Sequence, residues 1–93
     1  MEVTLEKNKV HYTTDYSIFS YLKGNRDIVN KHVKDLSTEI DERDLELPII
    51  VNEKMEVCDG QHRLEAYKAL DKPVAYIIKD GLELTDIRKL NSV

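Results

Sequence analysis

The stretch from Leu47 to Lys79, "LPIIVNEKMEVCDGQHRLEAYKALDKPVAYIIK", decides the fold. Pro48 stands at the start of a continuous apolar run, "IIV"; a polar "NEK" then turns the chain into a second strand, "MEVC", so the segment opens as a hairpin. In "QHRLEAYKAL" the period changes. Leu64, Tyr67 and Leu70 fall on one side with Ala66 and Ala69 beside them, which predicts a helix ending at "DKP". The apolar "VAYIIK" follows as another strand. Strand, strand, helix, strand is the order of a small α+β domain, with a mixed sheet packed against helices.

Outward from this core, "NKHVKDLSTEIDER" places Val33, Leu36 and Ile40 at helical spacing, with charged residues opposite, and predicts a helix from Lys31 to about Arg43. "TTDYSIFSYL" predicts a further helix with Tyr16, Phe19, Tyr21 and Leu22 near one face, capped by Thr14 or Asp15 and ended at Gly24. "EVTL" and "KVHYTT" flank "EKNK" as a short hairpin or a strand with a frayed partner. Downstream, "DGLELTDIRKLNSV" turns at Asp80-Gly81 and starts a helix capped by Thr85, with Ile87 and Leu90 apolar. The sequence stops about two turns into it. Residues 1–93 therefore read as a single domain, the N-terminal part of a longer protein, with a C-terminal docking helix as the alternative.

Composition narrows the class. A chain of 93 residues, 41% hydrophobic and 34% charged with few Gly or Pro, has the profile of one globular domain and not of a disordered chain. No apolar run approaches the roughly 18 residues of a membrane span, and "MEVTLEKNKV" lacks the layout of a signal peptide. A cytoplasmic protein with no membrane partner is expected. The single cysteine, Cys58, excludes an internal disulfide and a paired-cysteine zinc site. His11, His32 and His62 form no short-spaced pair, so no metal is assigned to them. With 14 basic against 18 acidic residues the net charge is −4, which opposes sequence-independent adhesion to nucleic acid. One nucleotide is a different matter, because a pocket needs only local positive potential.

"DGQHR", Asp59 to Arg63, crowds three polar side chains where a helix begins. A helix start leaves backbone N–H groups without intrahelical partners and carries partial positive charge, so a glycine that lets an anion near the backbone makes an anion site. Gly60 supplies that access. His62 and Arg63 add side-chain donors, each charge-assisted bond to a phosphate oxygen being worth about 1.5–3 kcal/mol. Asp59 cuts the other way unless it caps the helix, accepts a hydroxyl or holds a metal such as Mg²⁺ beside the phosphate. In the plainer alternative, Asp59 is an N-cap, Gly60 a turn residue, and His62 and Arg63 solvated first-turn residues.

"DGQHRLEAYKAL", with "LPIIVNEKMEV" before it and "KPVAYII" after it, resembles the core of the ParB/sulfiredoxin superfamily. The resemblance spans roughly residues 15 to 91 and implies the family's fold, a small mixed sheet with a strand-loop-helix phosphate site. Upstream, "GNRDIVNKHVKDLSTEI" is similar to the family box in which an Arg precedes a helix, with the usual Asn-Pro and Gln-Pro-Arg reduced to Asn25-Arg26. Carried over residue by residue, Gly60 and Arg63 match the phosphate-binding Gly and Arg, Gln61 and His62 fill the variable loop positions, and Arg26 faces the same pocket. For Arg26 an ordinary salt bridge is the alternative; Asn25, beside Gly24, is either a ligand or a turn residue. The Tyr-rich lead and "GNR" look most like ParB-like domains of phage and mobile-element proteins.

The resemblance implies a nucleoside di- or triphosphate ligand, ATP, ADP or CTP, with or without Mg²⁺, and DNA as a partner only through a further C-terminal module. A homodimer is left open. Departures from the family separate its activities. Sulfiredoxins carry a cysteine where this chain has Gln61, which argues against sulfinic acid reduction. Partition-type ParB proteins use an Arg-Arg loop where this chain has His62-Arg63. A third branch phosphorylates free serine through Asp-Gly-His-His-Arg and differs from this loop only at Gln61. It makes a small-molecule kinase or NTPase the main alternative, with Asp59 as candidate catalytic group and Glu39, Asp41 or Glu42 as candidate second carboxylate. ParB-like nuclease chemistry ranks third. Cys58 is read as a buried core residue, the tyrosines as interior or semi-buried with Tyr12 or Tyr16 able to stack on a base, and His11 and His32 as surface groups.

Overall fold

The computed structural model describes residues 9–25 and 27–82. Its strands are β1 (His11–Thr13), β2 (Ser20–Tyr21), β3 (Ile49–Val51), β4 (Glu56–Asp59) and β5 (Val74–Ile78), and its helices are α1 (Asn30–Glu42) and α2 (Gln61–Leu70). The strands form one mixed sheet in the order β1-β5-β3-β4-β2. β1 with β5 and β3 with β4 are antiparallel; β3 with β5 and β2 with β4 are parallel. This is the α+β arrangement expected from the quoted stretch.

Ile49, Val51, Val57 and Val74 are fully buried on the sheet, under Leu64, Ala66 and Tyr67 of α2. Each large side chain enclosed this way contributes about 1.5–3 kcal/mol. α1 packs chiefly on α2 and buries Ile40, with Val33 and Leu36 partly covered. The apolar positions read as the inner stripe of α1 are those three residues. Helix boundaries fall one residue earlier than expected, at Asn30 and Glu42.

The β3–β4 turn is built around Asn52, which is buried at 3% exposure. Its Oδ1 accepts from the amides of Lys54 and Glu56 at 3.0 Å each, and its Nδ2 donates to Glu56 Oε1 at 2.8 Å. With every polar atom of that amide paired, Met55 is held at φ 60°, a left-handed conformation a methionine rarely takes.

Two expectations need correction. The helix expected over "TTDYSIFSYL" is a single 3₁₀ turn, Tyr16–Ile18, followed by β2. Asp15 does cap it, accepting from Ser17 N at 3.2 Å, but the chain then turns to pair with β4, where Ser20 N donates to Met55 O at 3.1 Å. Aromatic spacing that suits a helix is met here by tertiary contacts: Phe19 lies edge-on to Tyr76 at 5.1 Å, and the Tyr16 hydroxyl donates to Lys72 O at 2.6 Å. Nor are all the tyrosines enclosed, since Tyr12 is 56% and Tyr21 42% exposed. At the N-terminus, β1 pairs with β5. "EVTL", and the helix expected from Thr85 through Ile87 and Leu90, lie outside the described residues. Among the described residues no helix is long and apolar enough to cross a membrane.

Candidate functional site

β4 delivers the chain to Asp59, whose backbone is in register with Ile50 of β3. Gly60 then turns it at φ 95°, and the amide of Leu64 donates to Gly60 O at 2.9 Å to start α2. A Cβ on Gly60 would stand 2.7 Å from Ile49 Cγ2 and 3.0 Å from Arg63 Nη2. Glycine is thus required here by backbone conformation and by close packing, besides any access it gives to a ligand. Among the described residues no side-chain cap bond closes the first turn of α2, and no acidic residue stands in it. Asp59, read as a possible N-cap, does not fill that role; Gly60 occupies the cap position.

This turn opens on a cleft of about 160 Å³ whose wall includes Asn25, Asp59, Gly60, Gln61, His62 and Arg63. The structure thus brings together six of the seven residues singled out in the sequence. Arg26, the seventh, lies outside the described residues. Leu36 of α1 and Cys58 complete the wall.

Three of these side chains are also tied to the scaffold. Arg63 Nε donates to Leu47 O at 3.2 Å and its Nη2 to Pro48 O at 3.0 Å, so the guanidinium fastens α2 to the start of β3. It meets carbonyls there, and among the described residues no carboxylate forms an ion pair with it. His62 Nε2 accepts from the Val29 amide at 3.0 Å, and the His62 ring lies 5.3 Å from that of His32. Asn25 Nδ2 is 3.4 Å from the carbonyl oxygens of both Val57 and Cys58, holding its loop to β4. Gln61, at 6% exposure, is enclosed rather than displayed to solvent.

Cys58 is fully buried, and burial first, then the nearby Glu56 carboxylate, pushes its thiol up to about 11. A thiol so protonated is a poor nucleophile at neutral pH, in keeping with a core role. Tyr67 donates to Asp44 Oδ1 at 2.5 Å; burial and then that bond raise its phenol above the ordinary value.

A second, mainly apolar cleft lies on the other side of Arg63, lined by Leu36, Ile40, Leu45, Leu47 and Tyr67 with Glu39 and Arg43 at its rim. Of the three carboxylates considered as a second catalytic group, Glu39 faces this cleft, and Asp41 and Glu42 are exposed near the end of α1. None of the three lines the first cleft. Among the described residues no group of three His, Cys, Asp or Glu side chains is placed to hold a metal ion.

Sequence reading passed over His32, Val29 and Leu36 as parts of the site. Leu36 was legible as an inner residue of α1, but its place in the cleft depends on how α1 crosses α2. The His32–His62 contact bridges thirty positions of sequence and has no local signal.

No family model matches the sequence, and no curated protein matches it either. The fold does have known counterparts. The C-terminally truncated chromosome-partitioning protein ParB from Caulobacter crescentus, solved in complex with CTP-gamma-S, superposes with a TM-score of 0.69 at 18% identity, over 91% of this chain and 54% of that one. A Pnob8-like ParB-N domain superposes with a TM-score of 0.60 at 21% identity, over 91% of this chain and 39% of that one. The chain spans about half the length of the first and less of the second. At such identities the likeness is one of architecture, and it establishes that the domain has the α+β fold of ParB N-domains.

Proposed function

We propose that the domain binds a nucleotide through its phosphates at the N-terminus of α2, as a ParB-like module of a DNA-associated phage or mobile-element protein. The observation that carries this reading is the first turn of α2, which opens into a polar cleft with no side-chain cap. Arg63 stands there against the helix dipole, an arrangement that costs about 0.3–1 kcal/mol unless an anion is held nearby. The fold neighbour solved with CTP-gamma-S supports the same reading. In this reading the amides of Gln61 to Arg63 meet the phosphates, Arg63 supplies charge while bracing the loop, Arg26 is expected to serve the same phosphates, and DNA is reached through a further C-terminal module.

The test is a melting series with ATP, ADP, CTP and GTP, with and without Mg²⁺. At least one nucleotide should raise the midpoint, since a ligand at 100 times its Kd stabilises by about 2.7 kcal/mol. Indifference to all four at millimolar concentration would reject the proposal. Because Arg63 also braces the fold, Arg63→Ala must be compared with wild type in the absence of ligand before any loss of response is assigned to the phosphates.

Asp59 favours a second reading, a phosphotransferase or NTPase. It lines the cleft and caps nothing, so its carboxylate has no structural duty at the helix start. Transfer of phosphate to a small hydroxyl compound, abolished in Asp59→Asn with nucleotide binding retained, would establish it. A nuclease gains no support from the donor groups among the described residues.

A further inference from the structure

Val29 is the N-cap residue of α1, and no side chain caps that helix. Its own amide donates to His62 Nε2 at 3.0 Å, so one ring nitrogen joins the start of α1 to the first turn of α2. An imidazole nitrogen accepts only while it carries no proton; in the imidazolium both nitrogens are donors. The bond therefore exists only with His62 neutral and its proton on Nδ1.

We propose that His62 is a positioning residue which ties the start of α1 to the first turn of α2 beside the cleft, and that protonation of its ring releases that tie. A proton taken from solvent occupies the Nε2 lone pair, and the Val29 N–H loses its acceptor. Among the described residues, the charged and titratable groups around the ring come from several elements. His32 of α1 meets it at 5.3 Å, Asp59 at the end of β4 and Arg63 on α2 share the cleft, and Asp27 lies two residues before Val29. Lys31, in the first turn of α1, is paired with Asp35 at 3.1 Å. An anion in the cleft favours the charged ring; this step rests on the nucleotide reading above. Occupancy would then be coupled to proton uptake and to loosening of Val29.

Long-range ¹H–¹⁵N spectra of the histidine rings in the ligand-free protein test the lock by itself. At pH 8 His62 should show an unprotonated Nε2 and a protonated Nδ1. On acidification the ring should become charged, and the protection factor of the Val29 amide should fall roughly tenfold with the same midpoint. His62→Gln, which keeps an acceptor and cannot titrate, should leave Val29 protected at both pH values. A proton on Nε2 at pH 8, or a Val29 amide indifferent to His62 titration, would overturn the proposal even if His62→Ala fails to fold. Inorganic sulfate, whose charge is constant from pH 5 to 8, separates the two claims. Tighter sulfate binding at low pH in wild type but not in His62→Gln supports the coupling. A lock that titrates as described while sulfate and nucleotides leave the cleft empty keeps the positioning role and rejects the nucleotide reading.

Discussion

The two ends of α2 solve the same problem in opposite ways. Each passes through a left-handed residue, Gly60 at φ 95° and Asp71 at φ 56°. At the C-terminal end the loose carbonyls are closed off: Asp71 N donates to Lys68 O at 3.2 Å, Lys72 N to Tyr67 O at 3.0 Å, and the Tyr16 hydroxyl covers Lys72 O. Pro73 prevents continuation, and Lys68 in the last turn suits the dipole. Among the described residues the N-terminal end has no side-chain cap and no acidic group in its first turn, and it carries Arg63 where a helix favours the opposite charge. One end is finished by the chain itself. In the proposed reading a phosphate completes the other; an uncapped start without an acidic first turn is shared with α1, and the cleft lined by Asn25 and by Asp59 to Arg63 is what sets the start of α2 apart.

The largest effect should come from Gly60→Ala. A side chain at that φ, 2.7 Å from Ile49 Cγ2, should cost about 3 kcal/mol in urea unfolding. A loss below about 1 kcal/mol would mean that the two ends of α2 are equally permissive. Next, Tyr16→Phe removes the hydroxyl that closes the C-terminal end and should cost about 1 kcal/mol, a melting shift of roughly 4–8 °C. Its effect on nucleotide response should be nil, in contrast to substitutions in the cleft.

The ends should also differ with pH. Burial, and then the charge of Asp71, raise the Tyr16 phenol above its ordinary 10.0, and burial lifts the Cys58 thiol from 9.0 to about 11. Groups raised in the folded state contribute stability that is complete below their unfolded values and lost as pH climbs through the folded ones. Stability should therefore hold to about pH 9 and decline above it, with Cys58→Ala removing the part between pH 9 and 11. The N-terminal end should instead respond to acid, through His62. The smallest effect is Asp71→Gly, which relieves a left-handed aspartate and should raise stability by about 0.5 kcal/mol. A decrease would show that Asp71 does more than turn the chain.

Much of this contrast was legible in the residues. The hairpin, α2, β5 and α1 follow from apolar period and from Pro48, Gly60 and Pro73, and the gathering of Asp59 to Arg63 follows from placing "DGQHR" between a strand and a helix, whereas Asn25 entered only through the resemblance of "GNR" to the family box. Residues 14–22 were misread because Tyr16, Phe19 and Tyr21 satisfy a helical period while being held by partners far away, at Lys72, Tyr76 and Glu65. Local pattern cannot separate those cases. The double duty of Arg63 was equally hidden, since its bonds run to backbone carbonyls of Leu47 and Pro48, groups every residue carries.

Backbone ¹H–¹⁵N spectra recorded while CTP, ATP or GTP is added, with and without Mg²⁺, probe the open end of α2 most directly. Binding at the cleft should move the amides of Gln61, His62 and Arg63 and the side-chain amide of Asn25, and leave those of Asp71 and Lys72 in place. Unmoved first-turn amides at millimolar nucleotide, or shifts centred on another face of the domain, would contradict the assignment of that helix start as the phosphate site.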